Sequence, residues 1–200
     1  MKKILYFYSV ASPWSYLGIK RLKEISKKYS AQIIEKPIDL VGKVFVATGG
    51  TPVPQRHISR QNYRLLELKR WGEFLNIKIN QKPKFFPPKD PHLPALFCLA
   101  SIDMGISMDF SSKVLEHLWV KENDISNIDI LKLIADDLKI SFEELSKLAT
   151  SDKIKKIVYL LRRNFSTTSS INQLLKKMRI GRTQMQFFVF VFVMSRWNYY

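Results

Sequence analysis

The apolar run over residues 3–8, followed almost at once by Ser12-Pro13, constrains this chain more than any other feature. A short β-forming run of that kind predicts a buried strand. Ser12 suits the N-cap of a helix, and Pro13 suits its first turn. Beyond them, apolar residues at Leu17, Ile19, Leu22 and Ile25, with basic residues between, predict a helix to about Tyr29 with one buried stripe. Residues 32–38 predict a second strand. A strand, a helix and a strand in this order predict a parallel pair joined by a crossover helix.

After this opening the pattern changes. Gly42, Gly49, Gly50, Pro52 and Pro54 mark residues 41–54 as a loop. Helices are expected over 60–75, 93–104, 110–120 and 128–138, and Ser141-Phe142-Glu143-Glu144 looks like another helix start. Residues 83–94 hold five of the nine prolines and predict a rigid extended connector. The helical block, roughly 60–160, lies between β-rich ends. Its far border is the apolar run 187–194, which predicts a buried strand. With 200 residues, 46 % of them hydrophobic, the chain suits one domain or one domain with a sizeable insertion.

Charge and cysteine content narrow the function classes. The net charge of +16 suggests nucleic acid, but ten of the 33 Lys and Arg and none of the 17 Asp and Glu lie beyond Asp152. The first 152 residues therefore carry only +6, and the basic excess belongs largely to the last quarter. This distribution argues against nucleic acid as the partner. The single cysteine, Cys98, permits neither an intramolecular disulfide nor a cysteine metal cluster; its L-F-C-L-A context suggests a buried helix position. His57, His92 and His117 lack metal-ligand spacing. The apolar stretch before Ser9 is too short for a signal peptide, and the run 187–194 is far below the roughly 20 residues of a membrane span. The expectation is a soluble, cytoplasmic protein with no membrane span.

The chemistry concentrates where the first strand meets the first helix. A helix N-terminus offers backbone N–H groups and the positive end of the dipole to an anion. A hydroxyl at the cap can donate to the same anion. A thiol bound there would have its pKa lowered and would become nucleophilic. Ser12 is thus the candidate catalytic residue.

The segment Ser12-Pro13-Trp14-Ser15-Tyr16-Leu17 resembles the S-P-[YW]-S-[YW]-L core of the 2-hydroxychromene-2-carboxylate isomerase and kappa-class glutathione transferase family. Thioredoxin-like oxidoreductases such as DsbA carry Cys-x-x-Cys at this point, so both sulfurs are hydroxyls here and dithiol exchange is disfavoured. Further segments match in the same order, from about residue 3 to about 157. V-F-V-A-T-G-G-T-P over 44–52 is similar to the family's F-x-A-T-G-N-x-P loop. Residues 63–71 resemble its Y-x-x-x-D-x-x-R-W helix, with Glu67 at the acidic position. Residues 117–126 resemble its L-W-V-x-x-x-D-I-S segment.

The resemblance implies an α/β fold: a thioredoxin-like domain from residues 1–55 and about 160–200, with an all-helical domain of about 56–159 inserted. It implies a homodimer with reduced glutathione as cofactor and a small electrophilic or aromatic-acid substrate. The activity implied is cis-trans isomerisation through transient addition of the glutathione thiolate to a conjugated carbonyl. Ser12, Pro13, Trp14, Gly50 and Arg60 are the implied glutathione-binding residues. Gly50 stands where the family has an asparagine, and Arg60 where it has a lysine. Trp71 matches a family tryptophan and is expected to pack in the core.

The last quarter departs from the family. No proline follows Pro94, so the family's cis-proline loop near the end is missing, and no acid follows Asp152 to hold a ligand amino group. Either this end has diverged, or its reading frame has shifted after about Ile157, which would make the run 187–194 an aggregation hazard. Two alternatives accompany the isomerase: a glutathione transferase acting on other electrophiles, and a thioredoxin-like binding protein with impaired catalysis.

Overall fold

The computed structural model describes residues 2–164 and 192–195. Strand β1 (Lys2–Tyr8) runs into helix α1 (Pro13–Lys28), which returns the chain to β2 (Ala31–Pro37). The two strands pair in parallel, from Lys2 opposite Ala31 to Tyr8 opposite Pro37. Strand β3 (Phe192–Ser195) pairs antiparallel with the other side of β1, giving the order β2-β1-β3. Central β1 is deeply buried, with Ile4, Tyr6, Phe7 and Tyr8 all buried. Leu17, Ile19 and Leu22 form the buried stripe of α1, and Lys27 and Lys28 in its last turn complement the helix dipole.

Between β2 and β3 the described chain is helical: α3 (Ile58–Leu75), α4 (His92–Asp103), α5 (Ser107–Trp119), α6 (Ile128–Asp137), α7 (Phe142–Ala149) and α8 (Asp152–Asn164). Local chemistry sets several of their starts. His57 caps α3, so that helix begins two residues before Arg60. Asn127 caps α6, and Ser141 Oγ accepts the Glu144 N–H at 3.2 Å to cap α7. Pro94 sits in the first turn of α4, where its missing N–H leaves no bond unmade. Phe97 and Cys98 of α4, Phe110 and Trp119 of α5 and Leu131 of α6 join Tyr6 and Tyr8 of β1 in one core. Each such side chain stabilises the fold by about 1.5–3 kcal/mol through lost contact with water.

A polar knot ties the sheet to α5. The Tyr8 hydroxyl donates to Glu35 Oε2 at 2.8 Å, and the Ser111 hydroxyl donates to the same oxygen at 2.6 Å. Burial pushes the Glu35 carboxyl up from the ordinary carboxylate range, against the opposing effect of these hydrogen bonds.

Two expectations change. Residues 41–54 are not a simple loop. Residues Leu40–Phe45 form a wide π-type helical turn that runs into α2 (Val46–Thr48), and Val53–Gln55 form a single tight turn. The Asp39 side chain starts this winding by accepting the Gly42 N–H at 2.8 Å, and Gly49 ends it at φ 71°. Trp71 is not in the core: it is 43 % exposed and meets Phe74 edge-on. A late strand is present at Phe192–Ser195 and overlaps the end of the expected run 187–194; residues 187–191 lie outside the described residues. The expected loss of a cis-proline loop and the question of a shifted frame also concern residues outside those described. One cis X-Pro bond does occur earlier, at Phe86–Pro87 in the connector.

Candidate active site

At the end of β1 the chain turns through Ser9, Val10 and Ala11. Ser12 N–H closes this turn on Ser9 O at 3.0 Å. Ser12 takes an extended conformation (φ −82°, ψ 125°), and its Oγ accepts the Ser15 N–H at 3.3 Å. The hydroxyl is therefore an N-cap, and its own proton stays available to donate elsewhere. Ser12 and Ser15 stand three positions apart, like the cysteines of a Cys-x-x-Cys pair, but their surroundings differ. Ser12, 5 % exposed, lines a cavity of about 990 Å³, whereas Ser15 is fully buried and does not line it.

All five residues implied as glutathione ligands, Ser12, Pro13, Trp14, Gly50 and Arg60, line this one cavity. Its size suits a small organic ligand. The departure at Gly50 acquires a physical basis. A Cβ placed on Gly50 would lie 2.5 Å from Cδ1 of Phe45, which itself lines the cavity. The Gly50 N–H donates to Phe45 O at 2.9 Å, holding backbone and ring together. Phe45 thus occupies the space that an asparagine side chain at position 50 would need.

Elsewhere in the cavity lining the sequence pointed to Arg60 but not to its neighbours. Arg56, Arg60 and Arg64 all line the cavity. For Arg64 the available signal was its place four residues after Arg60 on α3, since residues four apart share a helix face; Arg56 precedes that helix in an extended conformation, and its spacing gave no such signal. Arg56 Nε donates to Thr51 O at 2.8 Å, and its guanidinium lies 5.8 Å from the Phe45 ring centroid. Arg64 lies 5.0 Å from the Phe86 ring centroid and 5.8 Å from that of Trp119. Burial, then Arg56, pulls the Arg64 guanidinium down to about 10; burial, then Arg60, lowers Arg56.

Other nucleophiles and ligands are poorly placed. Cys98 is fully buried, and burial pushes its thiol up to about 12, far from a reactive thiolate. It is the small core residue that its sequence context suggested. His117 is buried too, with Nδ1 3.0 Å from Asn123 Nδ2 and Nε2 3.1 Å from Lys121 Nζ, a packing role. Among the described residues, no group of three or more His, Cys, Asp or Glu could hold a metal ion. No helix among them is long and apolar enough to cross a membrane.

The comparisons with known proteins bear on the fold that carries this site. A 2-hydroxychromene-2-carboxylate isomerase structure superposes with a TM-score of 0.65 at 16 % identity, covering 92 % of this chain and 97 % of that one. The cytosolic disulfide reductase DsbM from Pseudomonas aeruginosa superposes with a TM-score of 0.59 at 12 % identity, covering 88 % of this chain and 80 % of the other. DsbM with GSH gives 0.58 at 11 % identity, with coverages of 88 % and 81 %. At these identities the likeness is one of fold: a thioredoxin fold of the DsbA type, with a helical insertion. No curated protein matches the sequence. The DSBA-like thioredoxin domain pattern matches residues 3–168, and the chain belongs to that family.

Proposed function

We propose that this protein is a glutathione-dependent isomerase of the 2-hydroxychromene-2-carboxylate type, or a glutathione transferase built on the same site. One observation carries the proposal: the Ser12 hydroxyl caps α1 and lines a cavity that Arg60 also lines. Bound there, glutathione would supply a thiolate nucleophile. The residues present fit it. Ser12 already accepts the Ser15 N–H, so its own proton can be donated to the sulfur. The α1 N-terminus adds the positive end of its dipole. Arg60 supplies a fixed charge for a glutathione carboxylate, and Pro13 and Trp14 shape the wall beside the thiol. Gly50 offers backbone only, because Phe45 fills the space above it.

Disulfide exchange by the protein's own thiols does not fit, since Ser12 and Ser15 replace the sulfurs and Cys98 is buried. A glutathione-dependent role belongs in a reducing, cytoplasmic setting. The homodimer in the proposal would cover the outer face of α3, where Tyr63, Leu66, Trp71 and Phe74 are exposed and Phe74 reaches 78 %.

Calorimetric titration with reduced glutathione, beside Ser12→Ala, tests the assignment. Saturable binding that weakens in the variant is expected. No binding to the folded wild-type protein would leave the impaired scaffold as the better description.

A further inference from the structure

Arg56, Arg60 and Arg64 bring three positive charges to one cavity, and none of them forms an ion pair among the described residues. The undescribed segment cannot supply a side-chain acid, because no Asp or Glu follows Asp152. Asp39, which also lines the cavity, is engaged elsewhere: it accepts the Gly42 N–H and lies 3.8 Å from His92 Nε2. Arg60 is exposed and Arg56 and Arg64 are half-buried, and holding like charges together at one partly enclosed place is unfavourable unless an anion compensates them.

Arg64 is the most exacting of the three. Its Nη2 is buried and has no hydrogen-bond partner among the described residues. Its plane is held against Phe86 and Trp119, so the fork is oriented before any ligand arrives. Even lowered to about 10, the group is charged at neutral pH. A planar oxyanion taken by the fork would satisfy the orphaned donor and offset the charge. The aromatic and proline surface beside it, Phe86, Pro87 and Pro88, suits a flat apolar body attached to that anion.

We infer that Arg64, assisted by Arg56, is a carboxylate-binding site for the second substrate, an aromatic or conjugated carboxylate that lies in the same cavity as the Ser12 hydroxyl. The inference deepens the glutathione reading and leaves Arg60 to the cofactor.

The test is calorimetric titration with salicylate and with its neutral counterpart 2-hydroxybenzyl alcohol, with and without saturating S-methylglutathione. That thioether keeps both glutathione carboxylates but has no free thiol. Salicylate should bind, the alcohol should not, and S-methylglutathione should leave salicylate binding in place. Arg64→Gln and Arg56→Gln should each weaken salicylate tenfold or more while leaving S-methylglutathione within a factor of three. Circular dichroism melts establish that each variant is folded; if Arg64→Gln is not, Arg56→Gln and Arg64→Lys decide. The site is overturned by absent salicylate binding, by equal binding of the alcohol, by unchanged affinity in the folded variants, or by displacement of salicylate by S-methylglutathione. In the last case the arginine fork belongs to glutathione. Salicylate binding through Arg64 with no S-methylglutathione binding would uphold the anion site and remove the glutathione reading alone.

Discussion

One wall of the cavity carries no formal charge: a strand end, a serine cap and a helix start, with Ser12 almost fully buried. Another part of the lining carries three guanidinium groups, at Arg56, Arg60 and Arg64. Both attract anions, by different physics. The serine wall uses partial charges and one hydroxyl, fixed by backbone geometry and effective only within hydrogen-bond reach. The arginine wall uses full charges on long side chains, two of them steadied by aromatic rings. The first arrangement suits a sulfur whose protonation state must be tuned. The second suits carboxylates that are already ionised and need only be held. The contrast separates chemistry from recognition, and it can be broken one wall at a time.

The largest effect should come from the serine wall. Ser12→Ala should lower the kcat/KM of glutathione-dependent turnover by about 10²–10³, the scale for loss of one donor to a reacting anion. It should also cost about 1 kcal/mol of stability through the lost cap. Ser15→Ala, which removes a hydroxyl that does not line the cavity, should leave glutathione affinity unchanged by calorimetry.

Next comes the loop between the walls. Gly50→Asn should destabilise the protein by about 1–3 kcal/mol in urea melts, because the new Cβ runs into the Phe45 ring. Adding Phe45→Ala should relieve part of that loss, a non-additivity expected of touching residues.

On the arginine wall, Arg60→Gln should weaken glutathione about tenfold, near 1.4 kcal/mol, within the range for a hydrogen bond to a charged group. Binding should weaken with added salt in the wild type and less so in the variant, since only formal charges are strongly screened.

The smallest effect lies beneath the site. Glu35 has a raised carboxyl pKa through burial, so its folded state favours the neutral form. Its contribution to stability is fully present below the ordinary carboxylate pKa and is lost as pH rises through the raised one. Glu35→Gln keeps a neutral polar group at that place and should flatten the melting temperature against pH, by roughly 2–4 °C across that window.

The opening of the fold was legible because its signals are local. An apolar run, a Ser-Pro start and a one-sided stripe specify β1, α1 and the place of Ser12 without long-range information. The winding at 40–48 was not, because Gly and Pro density suggests a loop while the deciding bond, Asp39 to Gly42, is a side-chain cap inside that stretch. Trp71 shows the limit of helical periodicity, which groups residues on a face but does not say whether anything covers it. Arg64 escaped for a related reason. Its place in the same cavity as Ser12 depends on where α3 packs, and its rings, Phe86 and Trp119, come from distant segments. Glu35 resembles a solvent-facing strand residue until α5 brings Ser111 against it.

The most direct test follows the protonation of the thiol itself. The ultraviolet absorbance of the thiolate of protein-bound reduced glutathione can be titrated against pH for the wild-type protein and for Ser12→Ala. Expected is a bound thiol that ionises well below the value of about 8.5 for a free cysteine thiol, and a return towards that value in the variant. A wild-type titration that coincides with free glutathione, measured with the ligand bound, would contradict the assignment of Ser12 and the α1 N-terminus as the thiol-activating site.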